Sequence, residues 1–352
     1  MFSLLRMRDT EWMVGVDLGS ANLKAVVLKG RPEHMQLAAM AMVPAPVHSM
    51  VDHQIQDIAA VGEALRRLRR ELGSRAGVAA TAVSGSNVTS KIIALPRGLT
   101  DEELEQQISL EADQHISSSL ADISLDFERL GTNPQRPDRE NILLSAARKE
   151  SIASRVSALE LAGWRVQVMD IGIHALARAA HALLASERIG VQRLALADIG
   201  AECLSFGVLE QGELIHSRLN HFGGADLTRE LSELTGLPFA QAEAAKLDHT
   251  LPAELQENAS QQHINNVLQH LRRNMHLFNS GTDSRPPQAL FLSGGASQLP
   301  QLAAVLEQEL AIPVLQPRFD RLLGGSEQDY PGAAACTIAL GLALRSFTPC
   351  PV

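Results

Sequence analysis

At 352 residues and 45% hydrophobic content, the chain is long enough for two or more domains with sizeable cores, which excludes the disordered and fibrous classes. Forty acidic against 31 basic residues leave a formal charge of −9, so net charge selects neither nucleic acid nor an anionic lipid surface. Three scattered cysteines, Cys203, Cys336 and Cys350, make no disulfide framework, and no Cys-x-x-Cys or His-x-x-x-His spacing offers a zinc site. A reducing, cytoplasmic setting is the expectation. Residues 1–7 are apolar only until Arg6, Arg8, Asp9 and Glu11 interrupt them, short of a signal-peptide core. The apolar run 332–344 is too short to cross a bilayer.

Residues 14–28 read as strand, turn and strand, with Asp17, Gly19 and Ser20 at the bend and Lys24 just beyond it. Such a turn exposes backbone N–H groups, and with the Ser20 hydroxyl and the Lys24 ammonium it would suit a phosphate. Lys29-Gly30 leads into a third strand over 35–43. Ile55, Ile58, Gly62, Leu65, Leu68 and Leu72 then fall at helical spacing. Arg66, Arg67, Arg69 and Arg70 are expected on a solvated face, with Gly73 as the stop. A strand over 78–84 completes a βββαβ block.

Residues 88–95 predict a strand, and Thr100 with Glu103 predicts a capping box. It opens a helix whose buried face is Leu104, Ile108, Ala112 and Ile116. An alternating strand over 123–130, a strand over 142–147, a helix over 149–162 and a strand over 164–169 follow. Asp170 is expected to begin a helix ending near Ser186. Residues 88–165 therefore predict a small α+β insertion. His174 and His181 lack carboxylate or cysteine company and read as packing residues.

Residues 194–209 repeat the opening hairpin at a constant offset, Asp17 on Asp198, Gly19 on Gly200 and Leu28 on Leu209, and Gln211-Gly212 again turns into a third strand. Repetition at half the chain length implies two related domains. Two facing Asp-x-Gly turns would form a phosphate clamp, with a metal held between acids through water, as Mg²⁺ prefers. Phe222-Gly223-Gly224 starts another helix, a helix over 239–247 carries Glu243 and Lys246 on one face, and a long helix covers 264–278. A strand over 289–292 runs into Ser293-Gly294-Gly295-Ala296-Ser297, a third donor-rich turn, and a helix over 299–310. A small-residue helix over 331–345 closes the chain.

This ordered set resembles the actin-like ATPase superfamily of actin, Hsp70, sugar kinases, FtsA and MreB. Its motifs are a phosphate loop at 17–24, a second at 198–203 and an adenosine turn at 293–297. Within it the chain is most similar to the PilM family of type IV pilus assembly. That likeness rests on 14–28, on Leu95-Pro96-Arg97-Gly98-Leu99-Thr100 with its helix, on Leu125-Asp126-Phe127, on Asp198-Ile199-Gly200-Ala201, on 223–228 and on 292–296.

The resemblance implies an α/β fold of duplicated actin-like, ribonuclease H-like domains with an FtsA-type 1C insertion. Subdomain 1A would be 1–87 and 166–190, the 1C-like insertion 88–165, subdomain 2A 191–236 and 287–352, and subdomain 2B 237–286. It implies ATP and Mg²⁺ as ligands. Gly19, Ser20, Asn22 and Lys24 would face the β- and γ-phosphates, Gly200 and Ala201 would hold them from the other side, and Asp17 and Asp198 would orient waters on Mg²⁺. Glu243 and Lys246 would approach ribose and base, and Gly223, Gly224, Gly294 and Gly295 would bring backbone to the nucleoside. It also implies that the N-terminal cytoplasmic tail of PilN, an inner-membrane protein, binds between 1A and 1C. The protein would then sit peripherally at the inner membrane and link it to the cytoplasmic motor.

Two departures argue for slow or absent hydrolysis. Glu202 and Cys203 stand where relatives place hydroxyl donors, and Gly172 stands where many have an acid able to position water. A sugar- or acetate-kinase-type enzyme, and a scaffold that has lost nucleotide binding, remain alternatives on the same fold. An aspartic protease, the other duplicated Asp-x-Gly architecture, is excluded by the abundance of helical patterns.

Overall fold

The computed structural model describes residues 12–85, 88–115, 120–133, 135–187, 189–281 and 285–347. Residues 1–7, Ile116 and Cys350 lie outside them.

The alternating and β-branched opening residues form β1 (Met13–Leu18) and β2 (Asn22–Arg31), with Asp17 directly opposite Lys24. β3 (His34–Pro44) adds a third antiparallel strand, and a small hairpin follows, β4 (Met50–Val51) and β5 (Gln54–Ile55). In α1 (Ile58–Leu72), the N-cap Asp57 accepts from the Ala60 N–H and the C-cap Gly73 takes φ 62°, which glycine supplies without steric cost. β6 (Val78–Val83) joins β1 in parallel.

β7 (Val88–Pro96), α2 (Asp101–His115), β8 (Ile123–Thr132) and β9 (Arg139–Arg148) stand apart as a three-stranded antiparallel sheet and one helix. Their own core is Ile93, Leu95, Leu104, Ile108, Ile142 and Leu144. α3 (Lys149–Leu161) and β10 (Arg165–Ile171) return to the first lobe, where β10 lies parallel to β6. α3 falls inside the expected 88–165 insertion, yet it buries Ala158 and Leu159 beside α1 and Trp164 in the first-lobe core. The independently packed unit is 88–148. Arg66, exposed as expected, and Arg69, half-buried, also cap the end of α3. Arg66 Nε donates to Leu161 O at 2.8 Å, and Arg69 Nη1 donates to Ala162 O at 2.9 Å with its guanidinium over Trp164. Guanidinium groups at a helix C-terminus satisfy its orphan carbonyls and its partial negative charge.

α4 (Gly172–Ser186) leads to the second lobe. It starts two residues later than expected because Asp170 still pairs within β10 and accepts a 2.8 Å bond from Arg178. On α4, His174 Nε2 meets Ser90 Oγ at 2.9 Å and His181 packs against Gly212. β11 (Arg193–Ile199), β12 (Leu204–Glu210) and β13 (Glu213–Asn220) repeat the first meander. α5 (Gly224–Thr235), α6 (Phe239–Leu247) and α7 (Ala253–Gly281) come next. α7 begins well before the expected 264 because Ala259 packs beneath Leu227 and Leu231 of α5. β14 (Ala289–Ser293) lies parallel to β11, and α8 (Leu302–Leu310), β15 (Val314–Leu315), α9 (Phe319–Leu323) and α10 (Thr337–Ala343) complete the lobe. A 3₁₀ turn over Gly295–Gln298 and a left-handed Gln301 delay α8, and turns through Gly332 shorten the helix expected over 331–345.

The two five-stranded sheets read β3-β2-β1-β6-β10 and β13-β12-β11-β14-β15. Their identical order establishes the duplication inferred from the two hairpins. One core joins them: Val26 and Leu28 from the first sheet and Leu194, Leu196 and Leu209 from the second pack on Leu176, Ala180 and Leu183 of α4 and Ala339 and Leu340 of α10. The helices meet backbone to backbone. A Cβ on Gly341 would lie 1.9 Å from Ala175 O of α4, and one on Gly15 would lie 2.1 Å from Ala339 O of α10. Gly341→Ala is therefore expected to cost about 3 kcal/mol or more by overpacking, read as a lowered denaturant midpoint with an unchanged slope.

Candidate functional site

Both Asp turns close in the same way. Gly19 N donates to Asn22 O at 3.2 Å and Gly200 N to Cys203 O at 2.9 Å. The two glycine amides named as phosphate donors are therefore consumed inside their own turns. The backbone amides left to project are one and two residues further on, at Ser20, Ala21, Ala201 and Glu202, which donate to nothing among the described residues. Ser20 Oγ and the Asn22 amide also make no hydrogen bond there. Gly19 is small for a reason: a Cβ would lie 2.8 Å from Lys24 Nζ.

Lys24 occupies the cleft between the turns. Its Nζ bonds Asp17 Oδ2 at 2.8 Å, with both side chains about 85% shielded from solvent. Burial opposes its charge, but the carboxylates of Asp17 and Asp198 outweigh that and raise its pKa above the ordinary lysine value. The same cation therefore feels one carboxylate from each lobe. Asp198 has no such ion pair; Ser293 Oγ donates to its Oδ1 at 2.8 Å. Burial pushes Asp198 up to about 6, with Asp17 adding repulsion and Ser293 and Lys24 opposing it. In the repeat, the residue across from Asp198 is Ser205 where Asp17 has Lys24, so the second turn brings a carboxylate without a cation. Glu202 is exposed at its tip and Cys203 buried.

The glycines of the second lobe close this turn from behind. Gly224 N and Ala225 N, the first amides of α5, donate to Gly200 O and Ala201 O at 2.9 and 2.8 Å, and Gly223 N donates to Asp226 Oδ2. A Cβ on Gly223 would lie 2.5 Å from Ala201 O. Gly294 takes φ 93° against Ile199, where a Cβ would meet the carbonyl at 2.3 Å, while a Cβ on Gly295 would make only an ordinary contact with Ala335 Cβ at 4.0 Å. Gly223 and Gly294 thus seat backbone on backbone, a Cβ on Gly224 would press on Ala296 Cβ at 3.1 Å, and Gly295 leaves room at its Cα. Glu243 and Lys246 pair with each other at 2.6 Å and share Thr228, which Lys246 reaches at 2.8 Å and Glu243 also contacts. Thr228 Oγ1 in turn donates to Gly224 O at 3.2 Å, which ties α6 to the glycine pair.

The roles of four residues, Thr228, Ser293, Arg155 and Phe222, were not legible in the sequence. Thr228 and Ser293 complete networks whose partners are distant in the chain. Arg155 is buried on α3, and its hydrogen bonds go to the carbonyls of Ala82, Ser151 and His53. Burial lowers its pKa to about 10, with Asp17 favouring its charge. Phe222, just before the glycine pair, is stacked between His263 and His270, and burial drives His263 down to about 4.

Two duplicated sheets, a joining helix pair and two opposed Asp turns define an actin-like protein. A family model described as type IV pilus assembly protein PilM matches residues 15–347, and the chain belongs to that family. A PilM–PilN type IV pilus biogenesis complex contains a chain similar over 96% of this protein and 99% of its own length, at 26% identity and TM-score 0.83. MreB 5 of Spiroplasma citri bound to AMPPNP is similar over 95% of each chain, with 12% identity and TM-score 0.50, which speaks for the fold alone. The cell division protein FtsA of Bacillus subtilis (strain 168) is 24% identical over 281 residues, 73% of this chain. The chain spans 62% of the length of that relative. No helix among the described residues is long and apolar enough to cross a membrane.

Because folding raises the Asp198 pKa from 3.8 to about 6, the fold binds a proton there more tightly than the unfolded chain, and its stability falls as pH rises between those values and is fully penalised above about 6. Asp198→Asn is expected to raise the melting temperature of the ligand-free protein at pH 7.5 by a few degrees. That gap narrows as pH falls below about 6 and closes toward 3.8, where the unfolded aspartate becomes neutral too; thermal melts across that range check it.

Proposed function

We propose that the protein is an ATP-binding adaptor of type IV pilus assembly that binds the N-terminal tail of PilN and so links the cytoplasmic motor to the inner-membrane assembly complex. The observation that carries the nucleotide half is the pair of Asp turns from duplicated lobes, both acting on the single cation Lys24. The partner half rests on membership of the family and on the likeness to the chain from a PilM–PilN complex.

The residues present fit Mg²⁺ and ATP. Asp198 is a half-buried carboxylate without an ion pair among the described residues and with its pKa raised, a place where a hydrated dication would relieve the cost of ionisation. In this reading Asp17 and Asp198 hold the waters of Mg²⁺. Ser20, Asn22 and Lys24 meet the β- and γ-phosphates from the Gly19 turn, and the amides at Ala201 and beside it meet them from the Gly200 turn. The nucleoside lies toward Gly223, Gly224, Gly294 and Gly295. Glu243 and Lys246 reach ribose and base by exchanging their mutual bond for bonds to the ligand. Bound Mg²⁺ supplies charge neutralisation of the phosphates.

Slow turnover is part of the proposal. Gly172 offers no side chain to position water, and a Cβ there would lie 2.2 Å from Ser84 Oγ, which would have to rotate away. ATP then acts as a conformational ligand, holding the lobes in one closure by differential binding. For the partner, the reading places the PilN tail between subdomain 1A and the 88–148 unit, corresponding to subdomain 1C. Subdomains 2A and 2B are assigned to the second sheet and to the α6–α7 region.

Calorimetric titration of Mg-ATP is expected to show one site in the wild type and at least about tenfold weaker binding in Asp17→Ala and Lys24→Ala, each of which removes a charged partner. Absence of wild-type binding overturns the nucleotide half. A synthetic peptide of the first dozen PilN residues is expected to bind and to co-elute on gel filtration. Its failure to bind overturns the partner half.

A further inference from the structure

The tip of the β4–β5 hairpin has no role in the reading above. Its two turn residues, Asp52 and His53, take φ 46° and 58°, a left-handed conformation that side-chain-bearing residues keep only when their surroundings enforce it. Arg155 Nη2 holds His53 O from beneath while the same guanidinium binds Ala82 O and Ser151 O, both at 3.0 Å. Gly85 presses on the tip from the side, where a Cβ would lie 2.8 Å from Asp52 O.

The constraint aims two side chains in two directions. His53 Nε2 is buried with no hydrogen-bond partner among the described residues, and the ring lies within electrostatic reach of Asp17 and Lys24. Asp52 Oδ1 lies 3.8 Å from His221 Nδ1 of the second lobe, and the same nitrogen lies 3.8 Å from Cys203 Sγ beside the second Asp turn. A buried, unpaired ring nitrogen forfeits a hydrogen bond. Here the ring is coupled electrostatically to Asp17 and Lys24 and sits on a tip that also touches the opposite lobe beside the second Asp turn.

We infer that His53 is a specificity-determining ligand of the terminal phosphate, through which the cleft distinguishes a nucleoside triphosphate from a diphosphate. The inference rests on the reading of the cleft as a nucleotide site. Nε2–H donates to a γ-phosphate oxygen, a bond a diphosphate does not make. The groups facing the ring are Arg155 from α3 and Lys24 from β2, which disfavour its protonation, and Asp17 from β1 and Asp52 from its own turn, which favour it; burial dominates and keeps the ring neutral. Added triphosphate charge shifts this balance toward the imidazolium, so triphosphate binding takes up protons that diphosphate binding does not.

The test is His53→Gly, because glycine suits φ 58° and removes the ring without disturbing the turn. Mg-ATP and Mg-ADP are titrated into wild type and variant by calorimetry in two buffers of different ionisation heat. The wild type is expected to prefer ATP by about tenfold or more, the gain of a hydrogen bond to a charged group, with net proton uptake specific to ATP. The variant is expected to bind ADP as the wild type does, which reports an intact fold, and to lose both the preference and the uptake. A preference that survives in the variant, or equal wild-type affinities for the two nucleotides, overturns the role of His53 alone. Wild type that binds neither nucleotide overturns the nucleotide-site reading and this one together.

Discussion

The arrangement depends on one close crossing, where α10 lies against β1 at Gly15 and against α4 at Gly341 with no side chain between the backbones. Only glycine and alanine allow that approach, and the helices carry them where they meet, at Ala175, Ala179, Ala339 and Ala343. Packing two segments through backbone leaves little to deform. Each sheet is thus positioned by the same pair of helices, and the two Asp turns at their strand ends are brought to one cleft. Arg178 reinforces the joint by bonding both Asp170 and Gly341 O, at 2.8 and 2.9 Å.

The cleft so formed is electrostatically unequal. The first turn holds a paired carboxylate and ammonium, whereas the second holds a half-buried carboxylate served by one serine hydroxyl. Lys24 is shared between the lobes, and Asp198 keeps a raised pKa chiefly because it is withdrawn from water, with Asp17 adding repulsion. A cationic ligand would offset that desolvation cost, and the exposed Glu202 adds a further carboxylate where water screens it most. Closure and charge are therefore linked, since bringing the lobes together without a cation moves two carboxylates toward one another.

The 88–148 unit has its own sheet and core but is not isolated from the cleft. The helix that follows it, α3, packs under α1 and carries Arg155 to the back of the β4–β5 tip. A buried guanidinium bonded to three carbonyls from separate segments is a rigid spacer. Any displacement of α3 by an occupant beside the 88–148 unit would be felt at His53 and, through Asp52, at His221 of the other lobe. This supplies a physical route between the proposed peptide groove and the proposed nucleotide cleft.

The repeated Asp-x-Gly hairpin was legible in the chain because its pattern is local: apolar alternation, a tight turn and a second strand, twice over in one order. From it follow the duplication, the three-stranded meander of each sheet and the choice of Asp17, Lys24 and Asp198 as candidate site residues. The limits of the insertion were misjudged at α3, whose periodicity is ordinary and whose partner α1 lies far earlier in the chain. Gly19, Gly200, Gly223 and Gly294 were legible as special but not as what they do. A glycine pattern marks close approach without saying to what, and these four approach other protein backbone and side chains. The Asp52-His53 tip gave no signal, because a left-handed turn without glycine follows the opposite of local preference and is held by Arg155 and Gly85. Local periodicity and turn chemistry thus determined the two lobes. Which donors remain free, and which carboxylate stays unpaired, was decided only when tertiary packing brought distant segments together, since hydrogen-bond partners and desolvation are properties of space and not of chain order.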